Sequence, residues 1–301
     1  MSKNSSHELL VPLPASVRLD DLVRYWGRDR RSVQESADSD GIRWALRSPA
    51  GRAMEVHATF EESPGAFVAR VAVRSADGPL EDADVSWVTQ TAPRLLGLHL
   101  DPGPFEASLR GGPHFRLVEG RSGLSVPQTA TVFDGAVWVI CGQQVSLPVA
   151  FSLRRRLAER FGTAVGELFA PPRPADLVDV EPEVLYGLGL SRRKSEYVLG
   201  LCRLIVDGLD LEALRGVPAD AVEARLLAIR GFGPWSVNYL LMRSFGDADR
   251  VPVGDAGLAR ALVRYFDLEK RPDAQTTLRL MAAFAPHRSL ATFHLWASFA
   301  D

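Results

Sequence analysis

A chain of 301 residues is long enough to bury a substantial core, and its length suggests about two domains. With a formal net charge of -2 and a pI near 6.3, it is not a protein that coats nucleic acid by bulk charge, because phosphate contact dominates non-specific affinity. Its cysteines, Cys141 and Cys202, fall in apolar stretches and read as buried reduced thiols rather than a disulfide or a redox pair.

The opening residues, Met1 to Glu8, are polar, with no apolar core of signal-peptide length, and no later run approaches a membrane span, so the expected location is the cytoplasm. Residues 1–112 mix strands and helices. Short strand-like runs are predicted at Leu9 to Leu13, Ile42 to Leu46, Met54 to Phe60 and Ala66 to Val73, with turns at Ser48-Pro49-Ala50-Gly51 and Ser63-Pro64-Gly65. One helix is predicted over Leu19 to Trp26, and a second over Ala83 to Leu98 with Pro93 as a kink or break. The fold class expected is α+β, with a small N-terminal antiparallel sheet-plus-helix domain over 1–112.

A Pro- and Gly-rich passage from Asp101 to Pro113 marks the boundary. Beyond it, residues 113–301 are predicted to form an all-α domain. Apolar residues recur every three or four positions in Phe133 to Cys141, Leu147 to Phe161, Pro182 to Leu188, Arg192 to Val206, Ala219 to Ile229, Trp235 to Phe245, Ala256 to Phe266 and Thr276 to Phe284. A last helix is expected to start near Ser289 and run through Trp296.

Within this half, Leu226 to Tyr239 reads as helix, tight Gly231-Phe232-Gly233 turn, helix. Glycine permits positive φ or a close backbone approach, and Pro234 suits the first position of the second helix. The unpaired amides at such a turn and helix start suit an anion. Further on, Asp255 sits between Gly254 and the periodic segment Leu258, Leu262, Tyr265, and so reads as a helix N-cap.

The string Gly231-Phe232-Gly233-Pro234-Trp235-Ser236-Val237-Asn238-Tyr239, followed by Pro252-Val253-Gly254-Asp255, resembles the helix-hairpin-helix DNA glycosylase superfamily, and within it the bacterial 3-methyladenine DNA glycosylase II type. The resemblance is specific from about Phe133 onward and architectural before it. It implies a monofunctional enzyme of base excision repair that flips an alkylated purine, of the 3-methyladenine and 7-methylguanine class, out of double-stranded DNA and hydrolyses its N-glycosidic bond. Asp255 is the catalytic acid implied, facing the sugar and stabilising the positive charge that builds there. Relatives that also nick the strand carry at position 235 a lysine, whose amine attacks the sugar; Trp235 has none, which implies no lyase activity. Trp235, Tyr239 and Trp296 match positions lining the base pocket, where an aromatic face attracts a cationic base. Taken alone, each reads equally well as core. Ala256 stands where the alkylpurine type can present a further aromatic, which implies a more open pocket on that side.

The resemblance extends to Gly142-Gln143-Gln144, where Gln144 matches the residue that plugs the space left by the flipped nucleotide. Local sequence reads the same stretch equally well as a helix end capped by Gly142. Implied DNA contacts are Gln143, Gln144, the hairpin Gly231, Phe232 and Gly233, and the helix start at Ser191, Arg192 and Lys194. Arg154-Arg155-Arg156 reads either as a phosphate-tracking cluster or as a solvated face, and Tyr25 and Trp26 are candidates for the pocket rim. No cofactor is required by this reading. Relatives hold a monovalent or divalent cation on hairpin carbonyls that map to Leu227, Ile229 and Phe232, and two cysteines cannot supply the four thiolates of the iron-sulfur cluster that some members carry. The chain is expected to work as a monomer. Two rivals stay open: the same scaffold acting on oxidised or deaminated bases, and a non-catalytic DNA-binding module.

Overall fold

The computed structural model describes residues 7–63 and 66–298; the turn expected at Ser63-Pro64-Gly65 and the residues before His7 lie outside them in whole or part. In chain order the elements are β1 His7–Leu13, α1 Leu19–Trp26, β2 Glu35–Asp38, β3 Gly41–Arg47, β4 Ala53–Ser63, β5 Ala66–Ser75, α2 Asp82–Leu95, α3 Gly103–Leu109, α4 Val132–Gly142, α5 Leu147–Phe161, β6 Thr163–Val165, β7 Leu168–Ala170, α6 Pro174–Leu177, α7 Pro182–Gly187 and α8 Arg192–Val206. There follow α9 Ala219–Leu227, α10 Pro234–Arg243, α11 Ala256–Phe266, α12 Ala274–Met281 and α13 Arg288–Ala297. An α+β architecture results, with an antiparallel sheet first and helices dominating after it. Among the described residues no helix is long and apolar enough to cross a membrane.

The chain packs as two units. The first joins Met1–Ala15, Leu19–Leu95 and Thr129–Gly216; the second joins Ser16–Arg18, Leu96–Gln128 and Val217–Asp301. The division expected at residue 112 rests on the Pro- and Gly-rich passage, which lies within the Leu96–Gln128 stretch of the second unit, and the first unit groups the sheet with α4 to α8.

In the first unit the sheet runs β1-β5-β4-β3-β2, antiparallel throughout. Alternation along β4 buries Met54, Val56 and Ala58 on one face, as a period of two requires. The opposite face is covered in part by a short hairpin, β6–β7, whose Val165, Leu168 and Ala170 cluster with Ala45 and Ala53. This hairpin interrupts the otherwise helical second half. Trp26 belongs to the core of this unit, not to a pocket rim: it is buried, donates from Nε1 to the Leu95 carbonyl at 3.2 Å and meets Trp44 edge to face at 5.4 Å. Pro93 lies in the last turn of α2, which runs two residues past it without breaking.

Arg154 neither tracks a backbone nor faces solvent. Its guanidinium donates to both oxygens of buried Glu35 at 2.9 Å and lies 3.4 Å from Asp134, joining α5 to β2 and α4. Burial pushes the Asp134 carboxyl above its ordinary value, against the pull of Arg154. Removing one partner of a buried pair strands the other charge and typically costs about 3–5 kcal/mol. Arg154→Met is therefore expected to lower unfolding free energy by about 3 kcal/mol or more in urea titrations, with part of the loss recovered in the Glu35→Gln double variant. Both cysteines are buried, and burial pushes each thiol up to about 12.

The second unit is helical. Phe105 and Phe284 meet at 6.4 Å in its core. The loop after α10 is bound to the start of α13: Ser289 Oγ donates to the Asp247 carbonyl at 2.7 Å, Arg250 N donates to Ser289 Oγ at 3.0 Å, and Arg288 forks onto Asp249 with bonds of 2.6 Å. The loop that ends at residue 255 is thus fixed to the helix that carries residue 296.

Candidate active site

The turn between α9 and α10 is set by one glycine and one buried ring. Gly231 has φ +99°, a conformation in which a Cβ is strained. Phe232 is 6% exposed and its amide donates to the Ile229 carbonyl at 3.1 Å, so this side chain anchors the turn from inside. Gly233 differs: its φ of -104° suits any residue, and a Cβ there would meet nothing within 4 Å. The protein's own packing does not require glycine at 233; the space beside it is open. Gly233 caps α10 without a side chain, and Pro234 follows at the first helical position.

The acid is placed by a second turn. Gly254 has φ +90°, and the Asp255 amide donates to the Pro252 carbonyl at 3.0 Å. Asp255 is the N-cap of α11, accepting the Leu258 amide on Oδ1 at 2.7 Å. Two indoles complete its surroundings: Trp296 Nε1 donates to Oδ1 at 3.0 Å and Trp235 Nε1 to Oδ2 at 3.3 Å. A carboxylate offers roughly four lone-pair sites, so three donors fix its direction and leave acceptor capacity on Oδ2. Both indole bonds are charge-assisted.

Tyr239 completes an aromatic row. Its ring centroid lies 5.8 Å from that of Trp235 and 6.0 Å from that of Trp296, at interplanar angles of 41° and 37°. All three rings and Asp255 are half-buried, and Ala256 beside them is exposed. The four residues picked from sequence therefore meet in one place, from α10, α11 and α13. The arrangement can hold a flat group against rings while presenting an anion to whatever is attached to it.

Sequence reasoning gave the two tryptophans only a stacking role and overlooked Gly257. A Cβ on Gly257 would stand 3.0 Å from Asp255 Oδ1 and 3.4 Å from Cδ1 and Nε1 of Trp296. Glycine here lets indole and carboxylate meet over the first turn of α11. No periodicity signals such a need.

Five further candidates, Gln143, Gln144, Ser191, Arg192 and Lys194, lie in the first unit. Gln143 ends α4, its amide donating to the Val139 carbonyl at 3.1 Å. Gln144 is exposed with φ +54°, so the left-handed residue after this helix is the glutamine and not Gly142, contrary to the capping expectation. Ser191 caps α8 by accepting the Lys194 amide, and Arg192 is exposed. Lys194 departs from expectation: its side chain is buried, Nζ donates to the Cys141 carbonyl at 2.7 Å, and burial lowers its pKa. Its ammonium faces the end of α4, so it offers no contact to a phosphate. Of the hairpin carbonyls named for a cation, that of Ile229 already accepts the Phe232 amide; among the described residues no group of three or more His, Cys, Asp or Glu side chains is set to hold a metal.

Comparison with known proteins places this site in context. Residues 137–287 match the HhH-GPD superfamily base excision DNA repair protein family. The chain is 30% identical over 210 residues to the DNA-3-methyladenine glycosylase of Bacillus subtilis, covering 65% of this chain and 67% of that protein. It is 26% identical over 206 residues to DNA-3-methyladenine glycosylase 2 of Escherichia coli, covering 67% and 68%. In fold it is similar to the solved 3-methyladenine DNA-glycosylase of Archaeoglobus fulgidus, with a TM-score of 0.82 at 21% identity over 97% of this chain and 98% of that one. A helix-hairpin-helix turn, an acid capping the next helix and a match through half the chain converge: this protein belongs to the HhH-GPD superfamily of base excision DNA repair proteins.

Proposed function

We propose that the chain is a monofunctional DNA glycosylase that binds duplex DNA and hydrolyses the N-glycosidic bond of alkylated purines, leaving an abasic site. The observation that carries this reading is the Asp255 carboxylate held between the indole N–H groups of Trp235 and Trp296, with Tyr239 between the two rings. A purine alkylated at N3 or N7 carries positive charge, which an aromatic face attracts by up to about 2 kcal/mol when desolvated. The same charge makes the base a good leaving group, so the remaining task is to stabilise the sugar cation. An oriented carboxylate with a spare acceptor site does this and can also direct water. The names of the relatives from Bacillus subtilis and Escherichia coli support the substrate class.

Position 235 carries an indole, so no amine stands there to attack the sugar. The open space beside Gly233 supports contact between the hairpin amides and a phosphate. If a cation binds the carbonyls of Leu227, Ile229 and Phe232, neutral oxygens suit a hard ion, and its contribution is to draw a phosphate to the hairpin.

The test is a panel of duplexes, each with one 7-methylguanine, 8-oxoguanine or uracil, with strand breaks scored before and after alkali. Release of 7-methylguanine with breaks only after alkali is the expected result. Release of a neutral lesion alone, or nicking without alkali, overturns the reading.

Gln144 provides a further check on flipping. A left-handed conformation costs a non-glycine residue about 1 kcal/mol or more, and strain of this kind concentrates at functional sites. Gln144→Gly relieves it and is expected to leave the melting temperature unchanged or raised. Unstacking a base costs a few kcal/mol, so loss of the plug is expected to lower the ratio of duplex to single-strand base release about tenfold. An equal effect on both substrates removes Gln144 from this role.

A further inference from the structure

Two costly features meet at the end of α4. Lys194, buried in the first turn of α8, donates from Nζ to the Cys141 carbonyl at 2.7 Å, although burial lowers its pKa and a buried charge is expensive unless well paired. Three residues past that carbonyl, Gln144 holds φ +54°, a conformation uncommon outside glycine. From Gln144 to Val149 every residue is exposed, so this loop has no buried side chain of its own. Its course is set by the helix ends that it joins.

The bond to Cys141 connects the two features. Were α4 to continue, the Cys141 carbonyl would accept the amide of residue 145, four positions on; the Lys194 ammonium stands at that oxygen. A cation is favoured at a helix C-terminus, where the last carbonyls lack amide partners. The chain leaves the helix at Gln143, whose ψ is 124°, and turns left-handed at Gln144. Lys194 is itself held in place: its amide donates to Ser191 Oγ at 3.3 Å, and buried Ser195 beside it donates from Oγ to the Ser191 carbonyl at 3.1 Å.

We infer that Lys194 is a positioning residue for nucleotide flipping: it ends α4 and thereby holds Gln144 in the left-handed conformation from which its side chain enters the space left by the flipped base. The inference rests on the glycosylase reading above and deepens it. Lys194 touches no DNA in this role and acts through Gln144.

The test measures single-turnover release of 7-methylguanine by the full chain from a duplex and from the same strand unpaired, since only the duplex leaves a gap to plug. Lys194→Met keeps an apolar stem and removes the donor. A fall of the left-handed state to about a fifth of the population lowers the ratio of duplex to single-strand release about fivefold. That drop is expected in Lys194→Met, with single-strand release within about twofold of wild type. In a Gln144→Gly background the same substitution is expected to change the ratio by less than about twofold, because the side chain that it positions is gone. A merely structural role lowers both rates together, or acts equally in both backgrounds. Should Lys194→Met not unfold cooperatively on heating, Lys194→Gln, whose amide ends one bond short of the lysine Nζ, carries the same expectation. An unchanged ratio in the folded variant, or the same drop with Gln144→Gly already present, overturns the inference and leaves the repair reading intact. Wild-type protein that releases no base from either substrate overturns the repair reading and this inference with it.

Discussion

Asp255→Asn is expected to slow base release by about 10²- to 10³-fold while leaving the fold and the affinity for abasic-site DNA close to wild type. Asparagine is as good an N-cap as aspartate, so its side-chain oxygen still accepts the Leu258 amide and α11 still starts in the same place. Two things change. The negative charge that offsets the sugar cation is gone, and an NH2 group now faces one of the two indole N–H donors that formerly met Oδ1 and Oδ2. Removal of one preorganised electrostatic group of this kind lowers turnover by about 10²- to 10³-fold. Single-turnover release of 7-methylguanine, paired with binding to a duplex containing an abasic analogue, separates the two effects. A normal rate for the Asn variant removes Asp255 from the mechanism; parallel loss of rate and abasic-site binding reduces it to a structural cap.

Gly257→Ala separates stability from activity. Alanine in place of glycine inside a helix favours the helix by up to about 1 kcal/mol, so on propensity alone α11 is stabilised. The added methyl falls 3.0 Å from Asp255 Oδ1 and 3.4 Å from the Trp296 indole, and either the carboxylate or the ring must move. Misplacement of about 1 Å in a reacting group can cost roughly 10²-fold in rate. The expected outcome is a melting temperature within a few degrees of wild type and base release slowed by at least about tenfold, recovered in part by Trp296→Phe in the same chain, since a phenyl ring is smaller. Full activity in the Ala variant shows that the close approach of indole and carboxylate is not needed for catalysis.

Much of this site was legible before any coordinates because it rests on local signals. The helices Leu19–Trp26, Leu147–Phe161, Arg192–Val206 and Ala256–Phe266 begin and end where apolar spacing and caps placed them. The N-cap role of Asp255 followed from Gly254 before it and the periodic segment after it. That Trp235, Tyr239 and Trp296 meet Asp255 did not follow from spacing, since Trp296 is 41 residues away in sequence; only resemblance to a family brought them together.

Arg154 and Lys194 depart from expectation for a different reason, since charge does not by itself secure exposure. Arg154 looked like a surface arginine, but Glu35 and Asp134 bury it. Lys194 stood in a run of basic residues, yet the carbonyl left open at the end of α4 draws its ammonium inward. Strand β2, Glu35–Asp38, lacks β-branched residues and pairs on one side only, and β6 and β7 have three residues each, too few for alternation to register. Gly257 answers to a neighbour distant in sequence, Trp296.

Incubating methylated genomic DNA with the wild-type chain and with Asp255→Asn, then identifying the small molecules released by mass spectrometry, tests the account most directly. Free 3-methyladenine and 7-methylguanine from the wild type, at least about a hundredfold less from the variant in the same time, and a DNA backbone that stays intact until alkali is added is the predicted result. No free base from the wild type, or equal amounts from both proteins, contradicts it.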